Sequence, residues 1–301
     1  MTDAWNLLVC PSCGAPLVKD NGATCTGCRE RYPAHGADGA DLRLRKPRRV
    51  TLEFELGTPL ATDAPDFGPL TMNPSPAVDF SRITLPPHLT PEMASYLPAA
   101  PAADSACLDL GCGGGQYRRA IEYAGFRWVG VDYVDDRAPL LADGHALPFR
   151  DATFDLVVSL AVLEHIRYPH VMMREVERVL RPGGVFFGSV AYLVPFHLES
   201  FYNMTHYGTL SALEYAGLTV ERIASDPNYL GIRALSFAGL FQGAPRVLAY
   251  AAVRPLVALH RAWWWLGERV KPARFNPTER LLFNTGAFVF VAKKPVTRSG
   301  T

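Results

Sequence analysis

From residue 106 onward, short runs of apolar residues alternate with stretches in which apolar positions recur three and four residues apart. Runs of about 4 to 8 apolar residues are typical of buried strands, and the longer amphipathic stretches are typical of helices that pack on a sheet. The pattern predicts an α/β fold in which a mostly parallel sheet carries helices on its faces.

The central elements of this fold are predicted between residues 106 and 191. The predicted strands are 106–110, 126–131, 154–160 and 185–191. The predicted helices are 116–124 and 171–180, each followed by glycine or by proline and glycine. Only seven residues separate Asp132 from Leu140, whereas a parallel crossover normally takes about a dozen or more. The helix that usually follows the second strand is therefore predicted to be missing or reduced to a turn.

The C-terminal part adds a predicted helix at 209–216 and strands at 219–225 and 286–293, with a helical insert at about 226–284. The apolar residues that recur at helical spacing in the insert are Leu248, Ala252, Leu259, Trp263, Leu266 and Val270. Pro255 is expected to kink or split this helix. The stripe predicts a core or homodimer face. Because three tryptophans and three arginines lie on or beside it, a helix on a membrane surface is the alternative.

Two CxxC pairs precede the α/β region: Cys10 with Cys13, and Cys25 with Cys28, with eleven residues between the pairs. Each CxxC turn can place two thiolates on one side of an ion, and two turns complete the tetrahedron that zinc prefers. We therefore predict a zinc ribbon over residues 1–45. The metal is expected to be structural, because no coordination position remains for a substrate. An iron site, unligated cysteines and a redox pair are the alternatives.

Residues 46–101 are rich in proline and are predicted to be a linker and lid before a main domain at 102–301. The linker begins within a basic run, Arg43 to Arg49, which has five cations in seven residues. A solvated linker is the favoured interpretation of this run, and a phosphate or RNA contact is the alternative.

Charge and composition narrow the choice of partners. Thirty basic and twenty-nine acidic residues leave a net charge of +1, so no overall field attracts nucleic acid or an anionic membrane. The first residues lack the features of a secretion signal, and apolar runs stop well short of the roughly 20 residues needed to span a bilayer. We predict a cytoplasmic, soluble protein that has no membrane span and does not act on nucleic acid.

A glycine-rich turn at 111–115 between two predicted strands, the second ending in Asp132, is typical of a nucleoside site in which the acid binds the ribose hydroxyls. The dinucleotide fingerprint GxGxxG is not completed, because its sixth position is Gln116. Asp109, just before the turn, would repel a pyrophosphate and would favour a positively charged ligand.

Five segments, in order, resemble the motifs of class I S-adenosylmethionine (SAM)-dependent methyltransferases of type 11. They are LDLGCGGG at 108–115, GVDY at 130–133, DGHALPFRDATFDLVVS at 143–159, LEHI at 163–166 and REVERVLRPGGVFF at 174–187. The resemblance implies a Rossmann-like sheet and SAM as cofactor. The implied cofactor contacts are Asp109, Gly111, Cys112 and Gly113 near the methionyl part, Asp132 at the ribose, Tyr133, Asp143 and Gly144 at the adenine, and Leu160 near the methyl group.

Residues 196–207 gather two histidines, a glutamate and tyrosines just beyond the strand 185–191. His197, His206 and, within LEHI, His165 are candidate catalytic bases, because an imidazole titrates near neutral pH; a packing role is the alternative for each. The favoured function is methyl transfer from SAM to an oxygen or nitrogen atom of a small molecule, such as a sugar or a secondary metabolite. RNA base methylation through the ribbon and basic run, and a non-catalytic binding module, are the alternatives.

Overall fold

The computed structural model of the protein describes residues 5–57, 67–226 and 229–296. A small N-terminal sheet and a larger mixed sheet organise these residues. The small sheet contains β1 (Leu17–Asp20), β2 (Gly22–Cys25), β3 (Arg31–His35) and β4 (Gly39–Ala40), paired antiparallel in that order. This sheet and the two CxxC turns form the predicted ribbon.

The larger sheet has eight strands among the described residues. They are β5 (Gly68–Pro69), β6 (Ala106–Leu110), β7 (Arg127–Asp132), β8 (Leu140–Leu141), β9 (Phe154–Leu160), β10 (Leu180–Ala191), β11 (Thr219–Ser225) and β12 (Ala287–Lys293). Their order across the sheet is β5-β11-β12-β10-β9-β6-β7-β8. The strands from β10 to β8 in this order are parallel, whereas β12 runs antiparallel to both β10 and β11. The predicted Rossmann-like sheet with flanking helices is confirmed.

The helices are α1 (Pro91–Ala94), α2 (Arg118–Tyr123), α3 (Pro169–Val179), α4 (His206–Tyr215), α5 (Gly231–Leu235), α6 (Arg246–Val270) and α7 (Pro277–Asn284). Helix α4 begins three residues before its predicted start because Thr205 caps it: the Thr205 hydroxyl accepts the backbone N–H of Gly208 at 3.1 Å. Helix α3 passes directly into β10. The residues Pro182 to Gly184, expected to follow the helix as a break, lie instead inside β10, where its register with β9 shifts.

Apolar side chains alternate between the two faces of the larger sheet. In β9, Val157 belongs to the core on one face, whereas Leu156 and Val158 belong to the core on the other. The first face is covered by α3, α4 and the ribbon. The second is covered by α2 and by the Pro-rich segment, which contributes Leu70, Phe80, Leu89, Met93 and Leu97. Several apolar side chains of the segment predicted to be a linker and lid are therefore buried against the sheet.

The crossover between β7 and β8 contains turns and no helix, as predicted from its length. Strand β8 pairs with β7 over only two residues. The ribbon covers its other side: Asp41 forms a parallel bridge to Leu141, and the Leu42 N–H donates to the Leu141 carbonyl at 2.7 Å. The ribbon thus continues the larger sheet at the edge where a crossover helix is missing.

Further contacts hold the ribbon to the larger domain. The Val9 N–H donates to the Pro148 carbonyl at 2.9 Å, and the Arg150 N–H donates to the Leu7 carbonyl at 3.1 Å. The buried ribbon side chains Leu8, Cys10, Ala23, Cys25, Tyr32, Ala40 and Leu42 share one apolar core with the first face of the larger sheet. Ribbon and sheet therefore bury a common core.

Helix α6 runs through Pro255 without a break, so the proline does not split it, although the helix loses one internal hydrogen bond there. Its buried side consists of Ala249, Val253, Trp264 and Gly267. The predicted stripe faces away from this side, and Leu248, Leu259, Trp263, Leu266 and Val270 are exposed. The predicted stripe is therefore not a core face within the described chain. Contact of these exposed residues with another molecule stays a prediction. The helices of the described residues include none with the length and apolarity to cross a membrane.

The ribbon's contact with β8 can be tested at Gly39. A Cβ atom at this position would lie 1.9 Å from the Pro139 carbonyl oxygen. We expect Gly39→Ala to lower the free energy of unfolding by about 1 to 3 kcal/mol through overpacking and to increase proteolysis of the ribbon, measured by urea denaturation and limited digestion. Gly68→Ala is the control, because a Cβ there meets no atom within 4 Å. Equal stability of the two variants would contradict the described contact.

Candidate functional site

A cavity of about 1330 Å³ opens at the carboxyl ends of β6, β7 and β9. Gly111, Asp132 and Ala161, at or directly after these ends, lie on its wall. Open α/β sheets bind their ligands in such a crevice. Pockets for one drug-sized ligand measure about 300 to 1,000 Å³, so this cavity has room for a nucleoside cofactor and a second small molecule.

The glycine turn after β6 borders the cavity at Gly111. Gly111 and Gly113 have φ values of +78° and +51°, which residues with a side chain rarely adopt. A Cβ atom on Gly111 would lie 2.3 Å from Val162 Cγ2. The turn therefore packs directly against the segment that follows β9, and glycine is required at position 111 for both reasons.

Asp132 holds this turn in place and also faces the cavity. Its Oδ2 accepts the Gly113 N–H at 2.9 Å, and its Oδ1 accepts the N–H groups of Val134 and Asp135 at 2.9 and 3.0 Å. A carboxylate offers about four lone-pair positions. One position on Oδ2 is thus left for a ligand hydroxyl, in agreement with the ribose role implied by the sequence.

Asp109 lies behind the turn rather than on the cavity wall and is 1% exposed. Its Oδ2 accepts the indole N–H of Trp128 at 2.9 Å. Burial raises the pKa of Asp109 to about 7, the charge of Asp132 adds to the rise, and the indole hydrogen bond opposes it. Any attraction between Asp109 and a cationic ligand would therefore act across the turn and not by direct contact.

The indole ring of Trp128 packs against the glycine turn. The sequence analysis did not select this residue. Cβ atoms on Gly115 and Gly130 would lie 3.3 and 2.3 Å from its indole ring. Arg118 lies over the same ring, 5.2 Å from its centroid. A tryptophan within a predicted strand is typical of a core residue. The sequence signal for close packing around its ring was the presence of glycine at positions 115 and 130.

Asp143 and Gly144 lie on the cavity wall in a tight turn after β8. Asp143 Oδ1 accepts the backbone N–H of His145 at 2.9 Å and its ring Nδ1–H at 2.6 Å. Burial alone would raise the pKa of Asp143, but these bonds from His145 lower it below its ordinary value. His145 Nε2 accepts the Tyr168 N–H at 3.1 Å, which indicates the Nδ1-protonated neutral ring. The Asp143 carboxylate is therefore ionised and rigidly held.

Residues 43–57, hereafter the strap, run from the ribbon to the cavity. At the start of the strap, Arg43 pairs with Asp41 at 2.8 Å and donates to the Tyr133 carbonyl at 3.0 Å. Its guanidinium lies 5.7 Å from the centroid of the Tyr133 ring, which is on the cavity wall. Arg45 pairs with the same Asp41 at 2.9 Å. The beginning of the strap is thus fixed beside the predicted adenine contacts.

The basic run was expected to be a solvated linker, but it makes specific contacts. Lys46 pairs with Glu30 at 3.1 Å. Arg48 donates to the carbonyl of Pro11, inside the first CxxC turn, at 3.0 Å. Arg48 and Arg49 also line the cavity. The run therefore connects the ribbon to the cavity wall.

The second half of the strap presents apolar side chains. Val50 and Leu52 line the cavity. Phe54 stacks on Tyr215 with ring centroids 4.4 Å apart and meets His170 edge-on at 5.5 Å. The sequence contained a signal for this arrangement, since apolar residues occupy every second position from Val50 to Leu56.

Three other predicted site residues lie away from the cavity wall. Cys112 is fully buried with Ala138 and Leu141, and burial raises the pKa of its thiol. Leu160 is buried in the second core, next to the wall residue Ala161. His206 stacks on other aromatic rings at the start of α4; these are Phe67, Tyr207 and Phe288.

The other two predicted histidines meet beside the cavity. His165 lies on the cavity wall, and its ring contacts that of His197 with centroids 5.1 Å apart. Burial lowers the pKa of His165, and the proximity of His197 lowers it further. His197 Nδ1 bonds to the Pro195 carbonyl at 2.9 Å, which makes that nitrogen the donor and leaves Nε2 with a lone pair.

Glu164, which the sequence analysis did not select, completes this group. It is 1% exposed, and no described residue forms a hydrogen bond with either of its carboxylate oxygens. Burial raises the pKa of the Glu164 carboxyl above its ordinary value. One ligand atom each from Glu164, His165 and His197 lie within 4.8 Å of one another.

The four ribbon cysteines form a second cluster. Their sulfur atoms all lie within 4.8 Å of one another, with Cys10 to Cys28 at 3.7 Å and Cys13 to Cys25 at 3.5 Å. Zn–S bonds of about 2.3 Å place the sulfurs of a tetrahedron about 3.8 Å apart, so the arrangement fits a zinc ion. Tyr32 bonds to Cys10 Sγ at 3.2 Å and gives the cluster an outer hydrogen bond.

Comparison with known proteins places this geometry in a family. The family described as a methyltransferase domain matches residues 108–188. An uncharacterized methyltransferase of Mycolicibacterium gilvum is 32% identical over 183 residues, which cover 56% of this chain and 70% of that protein.

Two relatives with named substrates share a shorter segment. The sterol 4-C-methyltransferase of Caenorhabditis elegans is 34% identical over 127 residues, or 36% of this chain and 37% of that protein. The 27-O-demethylrifamycin SV methyltransferase of Amycolatopsis mediterranei is 35% identical over 116 residues, which cover 32% of this chain and 42% of that protein. This chain therefore spans less than half the length of each.

The buried carboxyl of Asp109 predicts a pH dependence of stability. Its pKa is about 7 in the folded protein and about 3.9 in an unfolded chain. At pH values between these two, the folded state therefore binds more protons than the unfolded state. The free energy of unfolding must therefore fall as pH rises through this window. Asp109→Asn keeps an acceptor for Trp128 but cannot ionise. We expect its free energy of unfolding, relative to wild type, to rise by roughly 2 to 3 kcal/mol between about pH 5 and pH 8, measured by urea denaturation.

The exposed Asp104→Asn variant is the matched control and should follow the wild type at both pH values. A constant difference between Asp109→Asn and wild type would show that Asp109 is ionised throughout.

Proposed function

This chain belongs to the class I SAM-dependent methyltransferases, and we propose that it transfers the methyl group of SAM to an oxygen or nitrogen atom of a small molecule. The observation that carries the proposal is the single cavity shared by two groups of residues. Gly111, Asp132 and Asp143, from the cofactor motifs, line one part of it, and His165 and Leu198 line another. A cofactor and an acceptor can therefore meet in one cavity.

The residues present fit a bound SAM. The remaining lone pair of Asp132 Oδ2 suits a ribose hydroxyl. Both hydrogen bonds of Asp143 within the described chain go to Oδ1, so Oδ2 is available for the amino group of adenine. Tyr133, with its ring under Arg43, supplies an aromatic surface. When bound, SAM supplies a methyl group on a positively charged sulfur.

The protein contributes to the reaction by positioning the acceptor against the methyl group. An acceptor held against the methyl group gains about 7 to 11 kcal/mol from orientation alone. The apolar residues Val50, Leu52, Leu198 and Phe201 line the cavity and would contact an apolar acceptor there. Of the three histidines predicted as bases, only His165 lies on the wall, and we assign to it a place beside the reacting group of the acceptor.

The wall favours an acceptor with an apolar body and a polar reacting group. The strap and the loop after β10 both present hydrophobic side chains to the cavity. The name of one relative, the 27-O-demethylrifamycin SV methyltransferase, indicates transfer to an oxygen atom of a secondary metabolite, whereas the name of the sterol 4-C-methyltransferase indicates transfer to carbon. We therefore rank hydroxylated secondary metabolites above sugars as acceptors.

An RNA acceptor is less well supported. A phosphate-binding face needs a row of accessible cations. Within the described chain, four of the five cations of the basic run already bind protein groups: Arg43 and Arg45 bind Asp41, Lys46 binds Glu30, and Arg48 binds the Pro11 carbonyl.

We also propose that the four cysteines bind a structural zinc ion. Their sulfur separations fit a tetrahedron, and four protein ligands leave no position for a substrate. The ion would act on the cavity only indirectly, through the contact of Arg48 with the turn between Cys10 and Cys13.

The acceptor class is tested with SAM labelled in its methyl group. The protein is incubated with a panel of apolar hydroxylated and amine-containing small molecules and, separately, with RNA. We expect label in a small-molecule product and none in RNA. Labelled RNA would favour the alternative enzyme, and SAM binding without transfer to any acceptor would favour a non-catalytic module.

Asp132→Asn provides the matched site variant for this assay. It keeps the shape of the side chain but loses the charge that strengthens a hydrogen bond by about 1.5 to 3 kcal/mol, so SAM affinity should fall roughly 10-fold to 100-fold in calorimetry. The exposed neighbour Asp136→Asn should bind SAM as the wild type does. Equal affinities would remove Asp132 from the cofactor site.

Zinc loss is expected to weaken SAM binding as well as the ribbon. Converting Cys25 and Cys28 to Ser should abolish the single zinc ion per chain, because binding energy in so small a unit is largely folding energy. The strap would then lose its attachment, and SAM affinity should drop about 10-fold, a cost near 1.4 kcal/mol. Thr26→Ala, in the same turn, retains all four thiols and should keep both properties. Undiminished SAM affinity without zinc would show that the strap holds its place unaided.

A further inference from the structure

We propose that Glu164, His165 and His197 bind a divalent transition-metal ion on the wall of the cavity. Each residue offers one ligand atom, and the three atoms lie within 4.8 Å of one another. Ligand bonds of about 2.0 to 2.2 Å require neighbouring ligand atoms to be about 3 to 3.5 Å apart. Binding of an ion would require side-chain rotations that bring these atoms closer together.

The buried carboxylate is the observation that points to a cation. Glu164 is 1% exposed, and the described residues offer no hydrogen bond to either oxygen. A buried carboxylate without a partner is strongly destabilising. Its neighbours across the cluster are the two imidazoles, whose neutral nitrogens are themselves metal ligands. One cation between the three side chains satisfies all of them at once.

A hydrogen bond orients His197 in the way that is usual for a metal-binding histidine. His197 Nδ1–H donates to the Pro195 carbonyl at 2.9 Å. This bond fixes the ring and leaves Nε2 as the ligand atom, which is the usual arrangement of a metal-binding histidine.

The two segments that supply the ligands are joined by their backbones. The carbonyl of Glu164 accepts the N–H groups of Phe201 and Tyr202 at 2.7 and 3.2 Å. The Tyr202 hydroxyl donates to the Arg167 carbonyl at 3.1 Å. The loop that carries His197 is therefore fixed to the turn that carries Glu164 and His165, which keeps the three candidate ligands together.

Two histidines and one carboxylate favour Zn²⁺, Mn²⁺, Fe²⁺ or Co²⁺ and leave coordination positions open. His165, one of the three ligands, lies on the cavity wall. An ion here would bind the acceptor hydroxyl and lower its pKa. The hydroxyl proton leaves to water, the oxygen forms its bond to the methyl carbon, and the carbon–sulfur bond breaks to give a neutral thioether. This role rests on the proposed methyl transfer, whereas metal binding itself does not.

Cobalt titration of the zinc-loaded protein tests the site without SAM or acceptor. We expect one Co²⁺ per chain, with weak visible absorption and no thiolate charge-transfer band, which separates it from the ribbon. Glu164→Gln and His197→Ala should each weaken binding by at least about 10-fold to 100-fold. His260→Ala, which removes an imidazole from α6, is the matched control and should bind Co²⁺ as the wild type does.

Thermal unfolding separates loss of the site from loss of the fold. Co²⁺ should raise the melting temperature of the wild type and of His260→Ala but not that of Glu164→Gln. Without added metal, Glu164→Gln should be at least as stable as the wild type, because it removes a buried group that ionises. Equal Co²⁺ binding by all variants, or no uptake by the wild type beyond the ribbon, would overturn the proposal, whatever the outcome of the acceptor assay.

Discussion

The organisation of this protein depends on the backbone pairing at β8. This strand has two residues, its connection from β7 is too short for a helix, and it would otherwise be an open edge of a parallel sheet. Parallel sheets are normally covered on both faces, and open edges invite pairing with other chains. The bridge from Asp41 to Leu141 and the hydrogen bond from Leu42 close that edge with the ribbon. The ribbon is thus a replacement for a missing element of the larger domain.

This attachment determines how the cavity is built. The chain leaves the ribbon at Asp41, on the same edge as β8, and β7 and β8 end beside the cavity. The strap therefore enters the cavity wall directly and adds Val50 and Leu52 to it. The wall of the site is assembled from the ribbon connection, the glycine turn, the segment after β9 and the loop after β10. Each part is held by a different set of contacts, so the cavity depends on the whole chain.

Local pattern predicted the elements of the sheet and the cofactor motifs well. The ranges of β6, β9 and β11 agree with apolar runs, and the four cysteines cluster as their spacing indicated. Contacts between segments that are distant in sequence could not be predicted in this way, because they produce no local pattern of residues. The docking of the ribbon depends on the space at Gly39, and the burial of residues 70–97 depends on scattered apolar side chains in an irregular segment. Glu164 also escaped prediction, because a charged residue in a short turn is usually exposed.

On each face of the larger sheet, one of the covering segments precedes the central strands in the sequence. The ribbon covers one face and residues 70–97 cover part of the other, while β6, β9 and β10 begin only at residues 106, 154 and 180. During synthesis these covers leave the ribosome before the surfaces they bury exist. The apolar side chains of residues 70–97 must therefore stay exposed while roughly a hundred further residues are made, about 5 to 20 s at typical rates of elongation. The folding of this chain is consequently governed by contacts between residues far apart in sequence.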